Sequence, residues 1–348
     1  MYYILLLVTG ILIILSCKFV QPIQTGYHEE YLSPNITTAE RGIAAFFIVM
    51  HHLSQVIPVR GPVILMRYIG FIMVAFFFFL SGYGLMFGFL NKQDYLRNFL
   101  RKRVLTILIP YWFVDIGLII IQIMRGHTYS VSDYILSFMG IETITHTWFV
   151  TAIIILYLIF YVTFKLADSF ENSEKAVFFL LGFFFIVYYL VCILFHVDSF
   201  YTASISAFLF GMLWHWVGNR VIAAVRRKYA RSLICVTVCF AVLFSGRLAL
   251  SVCGYNNEIL HIILRNVISI TFVLWVLILT QKILIKGKVL KVLGSASYEI
   301  YIVHYVVLYE LRTAGIKTEW ILILAVLISI VAAYLLHYGC EKLKKLYI

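Results

Sequence analysis

The sequence predicts an all-α integral membrane protein of about eleven transmembrane helices. Three observations carry that expectation. Of its 348 residues, 63% are hydrophobic and only 13% are charged, against about 25% charged in ordinary soluble domains. Apolar runs near twenty residues, the length that crosses a hydrocarbon layer about 30 Å thick, recur along the whole chain and give a mean hydropathy of +0.98. Basic residues collect in alternate segments between those runs, as they do when a chain crosses a membrane repeatedly.

Taken in order, the expected spans lie near 2–20, 41–58, 68–90, 104–124, 147–165, 176–196, 201–217, 233–254, 262–281, 297–313 and 319–339. The first run, "MYYILLLVTGILIILSCKF", lacks the basic n-region and small-residue cleavage site of a signal peptide, and reads as a retained anchor. Connections are short, and no Pro- or Ser-rich linker marks off a soluble appendage. An odd number of spans puts the two ends of the chain on opposite faces. One face then holds 21 of the 28 basic residues, while Arg60, Arg67, Arg125, Arg312 and Lys317 fall on the other and Arg247 and Arg265 lie inside spans. That asymmetry orients the chain with its N-terminus outside and its C-terminus in the cytoplasm of a cell bounded by the plasma membrane. The net charge of +12 is therefore a topology signal and argues against a nucleic-acid partner. The glycosylation-like "NIT" at 35–37 would face the cytoplasm and carries no weight. The six cysteines include no CxxC pair and no zinc-ligand spacing, so they are expected as small core residues, with no metal site.

The stretch "RGIAAFFIVMHHLSQ", Arg41 to Gln55, opens with an arginine and carries two histidines in a membrane span. At 1.5 Å rise per residue, His52 lies roughly 16 Å beyond Arg41, near mid-depth. Eleven residues is almost three turns, so Arg41 and His52 share a stripe within about 20°, and His51 points about 80° away. An ionisable side chain at that depth is costly and faces a bundle interior or cavity. A neutral histidine hydrogen-bonded between helices is the alternative to a chemical role, and a positive-inside anchor is the alternative for Arg41.

"AERGIAAFFIVMHH" resembles the opening signature of the membrane-bound acyltransferase family 3, an arginine, ten residues and a histidine, with Arg41 and His52 as the matching pair. Further matches follow in family order: "FFFFLSGYGL" at 76–85, "FLRKRVLTILIPYW" at 99–112, "HTWFVTAIIILYLIF" at 146–160, "FLFGMLW" at 208–214 and "GSASYEIYIVH" at 294–304. The resemblance divides the chain into an extra N-terminal helix and linker, 1–30, and a ten-helix acyltransferase domain, 31–348. Thr106, four residues before Pro110, departs from the pattern by replacing a common second basic residue.

The resemblance implies transfer of an acyl group, usually acetyl from acetyl-CoA, to a hydroxyl of a cell-surface or exported glycan or glycolipid. The donor is a substrate, and no cofactor is bound permanently. A sugar hydroxyl needs a general base, and a buried neutral imidazole suits the task, which assigns it to His52 with Arg41 holding donor anions or orienting the site. Coenzyme A carries several phosphates, and "LRNFLRKR" places Arg97 and Arg101 at helical i,i+4 spacing with Lys102 and Arg103 adjoining, although any cytoplasmic loop carries such cations. Ser81 of the Leu-Ser-Gly segment and Tyr298 complete the expected donor-binding set. On the last motif helix, Tyr301 and His304 share a face with Ser297, and with His146 and Trp148 they form the expected acceptor-binding set. For Arg247 and Arg265, inside spans, the structural alternative is pairing with carboxylates such as Asp115 or Glu299, and the sequence does not select their partners. A transporter or flippase for a lipid-linked glycan is the competing class, since buried cations also suit phosphate passage. Pro110 is the only proline in the interior of a span and no internal repeat is visible, which weighs against it. A purely structural or sensory protein leaves the ionisable stripe without a purpose.

Overall fold

The computed structural model describes residues 20–23, 25–141, 147–170 and 173–347. Helices dominate: α1 (Pro34–Val56), α2 (Gly70–Asn91), α3 (Phe99–Met124), α4 (Val131–Phe138), α5 (Trp148–Ala167), α6 (Ser173–Leu194), α7 (Ser206–Arg227), α8 (Tyr229–Val252), α9 (Glu258–Leu279), α10 (Lys288–Ser295), α11 (Ser297–Thr313) and α12 (Thr318–Tyr347). Ten of the eleven expected spans coincide with these helices, and the span expected at 2–20 lies outside the described residues. Eight described helices are individually long and apolar enough to cross a membrane, or nine if α1 and the 3-10 helix Gly61–Tyr68, bent by 113°, are taken as one broken span. α11 stands outside that set, being 17 residues long and carrying Glu299, Glu310 and Arg312. The chain is an all-α multi-pass membrane protein.

Several features depart from the expectation of bare helices and loops. Val20–Pro22 (β1) pairs antiparallel with Ile283–Ile285 (β2), so a two-stranded ribbon ties the lead-in segment to the turn before α10. Between the fourth and fifth expected spans, α4 forms behind a capping box in which Ser130 and Asp133 exchange side-chain-to-backbone hydrogen bonds. Of the cysteines expected in the core, Cys235, Cys239 and Cys253 are exposed and only Cys192 and Cys340 are buried, all five unpaired. Cys235 and Cys239 lie on α8, which packs on α9 along one side but buries none of its residues, as lipid permits and water does not.

The described residues fall into two compact units. One comprises the chain up to Phe87, Ala203–Ser297 and Ile316–Ile323; the other comprises Gly88–Thr202, Tyr298–Gly315 and the chain from Leu324. In the first unit, α1 and α10 meet backbone to backbone. A methyl group on Gly42 would strike the Leu290 carbonyl, and one on Gly294 would strike the Thr38 carbonyl. α2 and α7 cross in the same way, Gly82 against Phe208 and Gly211 against Phe79. Arg226 of α7 anchors the lead-in segment: it donates to the His28 carbonyl at 2.9 Å, to Gln281 and to Glu29, and its guanidinium lies 5.2 Å from the centre of the Tyr27 ring. A residue counted as a topology signal is thus also a structural clamp. Nearby, burial and the Lys286 charge hold the His28 imidazole below its ordinary pKa, and burial pushes the Tyr31 hydroxyl, which accepts from Trp214, above its own.

In the second unit, α4 lies against α3. Tyr111 donates to the Ser137 carbonyl at 2.9 Å, Ser137 donates to both carboxylate oxygens of the buried Asp115, and Trp112 stacks on Phe138 at 4.6 Å. Asp115 is therefore satisfied locally. Glu299 of α11, 2% exposed, lies 3.1 Å from His337 of α12.

Candidate active site

In the first unit the chemistry-bearing helix is α1. Pro34 starts it at a position where a missing N–H costs nothing, with Ser33 extended before it. The Gly42 crossing pins this end of α1 to α10, and Arg41 emerges beside it, half-buried, donating from Nη2 to Thr38 Oγ1 at 3.0 Å. Its neighbour Glu40 is 6% exposed, and its Oε1 has no hydrogen-bond donor among the described residues. Glu40 escaped the sequence reading, although a carboxylate one residue from the motif arginine, on an otherwise apolar helix, is a signal in itself.

At the other end of α1 the two histidines separate in role. The rings touch edge to face at 4.8 Å. His51 Nδ1 lies 2.9 Å from the Met66 carbonyl, which can only accept, so Nδ1 carries the proton. His51 Nε2, 3.1 Å from Gln55 Nε2, then accepts from the amide. Both nitrogens of His51 are occupied, and the ring packs against Gly70 so closely that no larger residue fits there. Arg67 makes this arrangement possible by donating to the Ser54 carbonyl at 2.7 Å and to that of Ile57, capping the end of α1 where the chain turns back. His52 is half-buried on the neighbouring face. Ser81 is half-buried on α2, and the glycines of its motif divide: Gly82 serves the crossing with α7, while Gly84 has nothing within 4 Å.

In the second unit the four cations expected at the foot of the fourth span lie about the start of α3, and their helical register needs a correction. Asn98 takes a left-handed φ of 58° and α3 begins at Phe99. Arg97 therefore lies in the preceding turn, and the i,i+4 alignment of Arg97 with Arg101 on one helix is not realised. Asparagine tolerates that backbone region better than most residues, which is why the helix breaks there. Arg97, Arg101 and Lys102 are exposed, whereas Arg103 folds back, donating to Tyr95 Oη at 2.6 Å with its guanidinium 5.9 Å from the ring centre. Three cations in the first turn of α3 oppose the positive end of the helix dipole, so that turn is favourable only toward anions. Thr106 turns its hydroxyl back to the Lys102 carbonyl at 2.7 Å.

Tyr298 donates to the Ile107 carbonyl of α3 at 2.7 Å, a structural tie between α11 and α3. Tyr301 Oη accepts from the Phe149 N–H at 3.3 Å and its ring meets Phe149 at 5.3 Å. His304 is 3% exposed, and its Nδ1 lies 2.6 Å from the Tyr301 carbonyl. A carbonyl can only accept, so Nδ1 is the donor in this contact. Trp148, the first residue of α5, packs on Phe200 at 5.6 Å and on Tyr201 at 5.9 Å. Those two aromatic partners were not singled out from the sequence, because the connection before α7 has no periodicity to mark them. His146 lies outside the described residues. Among the described residues no group of His, Cys, Asp and Glu is arranged to hold a metal ion.

The family model described as an acyltransferase domain matches residues 39–338, and the chain belongs to acyltransferase family 3. It is a membrane acyltransferase. No curated protein and no solved structure gives a significant match.

Proposed function

We propose that the protein transfers an acetyl group from cytoplasmic acetyl-CoA to a hydroxyl of a cell-surface or exported glycan, with His52 as general base. What supports the assignment is the family match over residues 39–338, which takes in the Arg41-to-His52 spacing on α1, with both residues half-buried. His52 takes the proton of the attacking sugar hydroxyl as its oxygen bonds to the thioester carbonyl carbon. The carbon–sulfur bond then breaks, and the coenzyme thiolate takes up the proton from the imidazolium. Arg41 orients this site and offers a permanent cation to donor anions.

Arg97, Arg101, Lys102 and Arg103 hold the coenzyme phosphates, a reading supported by their closeness in sequence at the start of α3 and by the exposure of Arg97, Arg101 and Lys102. Ser81 and Tyr298 remain in the donor set, Tyr298 with its hydroxyl already engaged. His304, Tyr301, Trp148 and His146 form the acceptor side; flat aromatic faces such as Trp148 with Phe200 and Tyr201 suit the apolar face of a sugar ring. In this reading residues 31–348 are the acyltransferase domain, the N-terminus is outside and the C-terminus is in the cytoplasm, in the plasma membrane.

The test is labelled acetyl transfer from acetyl-CoA to membrane glycan, with wild-type protein and with His52→Ala at equal membrane abundance. Label in the glycan that requires His52 supports the reading. Transfer that survives His52→Ala overturns the base assignment, and absence of label with the intact protein overturns the substrate pair.

A further inference from the structure

The short helix α4 belongs to none of the groups assigned above, and its two ends are finished differently. It starts among polar groups, with the exposed Ser130, Ser132 and Asp133 around the capping box. It ends sealed. A helix leaves its last carbonyls without partners in the helix, and on a wet surface water meets them. Here protein donors do so. The Ile141 N–H donates to the Leu136 carbonyl at 3.0 Å, a closure that the left-handed φ of 68° at Gly140 allows. The Gly140 N–H and the Tyr111 hydroxyl donate to the Ser137 carbonyl at 2.8 and 2.9 Å, and Trp112 Nε1 donates to that of Phe138 at 2.7 Å. Just past the helix, Thr151 Oγ1 of α5 donates to the Gly140 carbonyl at 2.6 Å.

These donors set a depth. Tyr111 and Trp112 lie thirteen and twelve residues before the Met124 end of α3, about 18 to 20 Å along its axis. A methyl group on Gly140 would lie 3.2 Å from Leu108, further still from that end, and 3.0 Å from Val150 in the first turn of α5. Phe160, later in α5, packs on Phe99 at the start of α3, so α4 and α5 both run away from the Met124 end. The part of α3 beside α4 faces outward with Phe113, Ile116, Ile120 and Ile123, each about half exposed. On α4 and its C-cap, Val131, Ile135, Phe138 and Met139 fall on one stripe, each more than half exposed. The two apolar surfaces adjoin where Trp112, one turn before Ile116, stacks on Phe138 at 4.6 Å. A helix on a wet surface needs neither an apolar outer stripe nor sealed carbonyls, and hydrocarbon demands both.

We propose that α4 is embedded in the hydrocarbon as the first part of the span that α5 completes, descending along α3 with lipid acyl chains against Val131, Ile135, Phe138 and Met139. One consequence rests on the acceptor role proposed above for Trp148, the first residue of α5: the glycan hydroxyl descends below the membrane surface to be acylated. The placement of α4 itself does not depend on that role.

Nitroxide labels on single cysteines test it in the full chain, reconstituted in phosphatidylcholine vesicles with Cys17, Cys235, Cys239 and Cys253 replaced by alanine and the buried Cys192 and Cys340 kept. Val131→Cys, Ile135→Cys and Phe138→Cys report on α4, His127→Cys on the exposed turn before it, and Phe113→Cys on the lipid face of α3. Collisions with a water-soluble nickel chelate should be lost progressively from Val131 to Phe138, until Phe138→Cys matches Phe113→Cys, while collisions with oxygen increase. Labels on α4 that meet the chelate as freely as His127→Cys put the helix in water and overturn the proposal. Equal readings along α4 lay it flat at the surface and overturn the descent. Labels shielded from chelate and oxygen alike show a protein cover, such as a second copy of the chain, and overturn lipid as the occupant. If Phe138→Cys does not accumulate, Met139→Cys on the same stripe carries the same comparison. Every reading is taken without acyl transfer, so failure here leaves the proposed reaction untouched, and failure of the reaction leaves these readings intact.

Discussion

The helices Pro34–Val56 and Ser297–Thr313 are alike in composition and differ in how their polar groups are held. Each carries a buried carboxylate near its start, Glu40 and Glu299, and histidine further along. Neither is on its own among the helices apolar enough to cross a membrane. In α11 almost every polar group has a nearby partner: Tyr298 has Ile107, Glu299 has His337, and His304 Nδ1 has the Tyr301 carbonyl one turn back. In α1 His51 is held by the Met66 carbonyl beyond the helix end and by Gln55 within the helix, while the carboxylate of Glu40 has an oxygen with no hydrogen-bond donor among the described residues. Buried polar groups that are fully paired fix geometry, and chemistry requires one that can exchange a proton.

The largest test of that contrast is His52→Ala. Loss of a general base should lower turnover by roughly 10²- to 10⁴-fold with membrane abundance retained, while His51→Ala should cost only a few-fold and act through stability. Equal losses in labelled acetyl transfer would erase the distinction between the two.

His304→Asn comes next. Asparagine can keep the donor that meets the Tyr301 carbonyl but removes Nε2. If Nε2 handles the acceptor, the acceptor KM should rise about tenfold, the size of one lost hydrogen bond to a charged or developing charge, with the donor KM steady. Unaltered kinetics would make His304 another scaffold residue of α11.

Neutralising Arg101 and Arg103 together should raise the donor KM several-fold and flatten its salt dependence, since exposed charge contacts are screened at physiological ionic strength. Activity must be counted per inserted molecule. A loss of abundance alone, with the donor KM unchanged, would leave the cluster as a topology signal.

The smallest effect is expected from Tyr298→Phe. It removes one hydrogen bond to the Ile107 carbonyl, worth about 1 kcal/mol of stability, measurable as a lower unfolding temperature. A donor KM that rises in step would show that the hydroxyl also meets the coenzyme.

Much of the fold was legible because a membrane span announces itself by length and apolarity, and those are local properties. The ten helices matching expected spans needed nothing else. What escaped depended on distant partners or on single backbone angles. The β1–β2 ribbon joins residues far apart in sequence; the left-handed Asn98 moved Arg97 off the helix; the 113° bend after α1 depends on Arg67 reaching back to Ser54 and Ile57. Only α4 had a readable local mark, the Ser130–Asp133 box. The site divides along the same line. His52, Arg41 and His304 stood out as ionisable residues in apolar runs. The occupancy of His51 did not, because Met66 reaches it only through that bend. The local hydrogen bonds of Asp115 were not legible either, because their donor Ser137 lies on α4, a helix absent from the sequence reading.

The crossing of Gly42 with Gly294 has a consequence for how the protein is made. The two glycines are 252 positions apart, so α1 leaves the ribosome long before the helix that embraces it exists. During that interval Glu40, Arg41 and both histidines have no α10 to shelter the crossing face, on a segment too polar to rest comfortably in lipid alone. α1 must therefore wait, at the membrane surface or beside the insertion machinery, and settle only when synthesis is nearly over. Its docking closes a loop of most of the chain, which makes it a late step and one exposed to a chaperone or a protease.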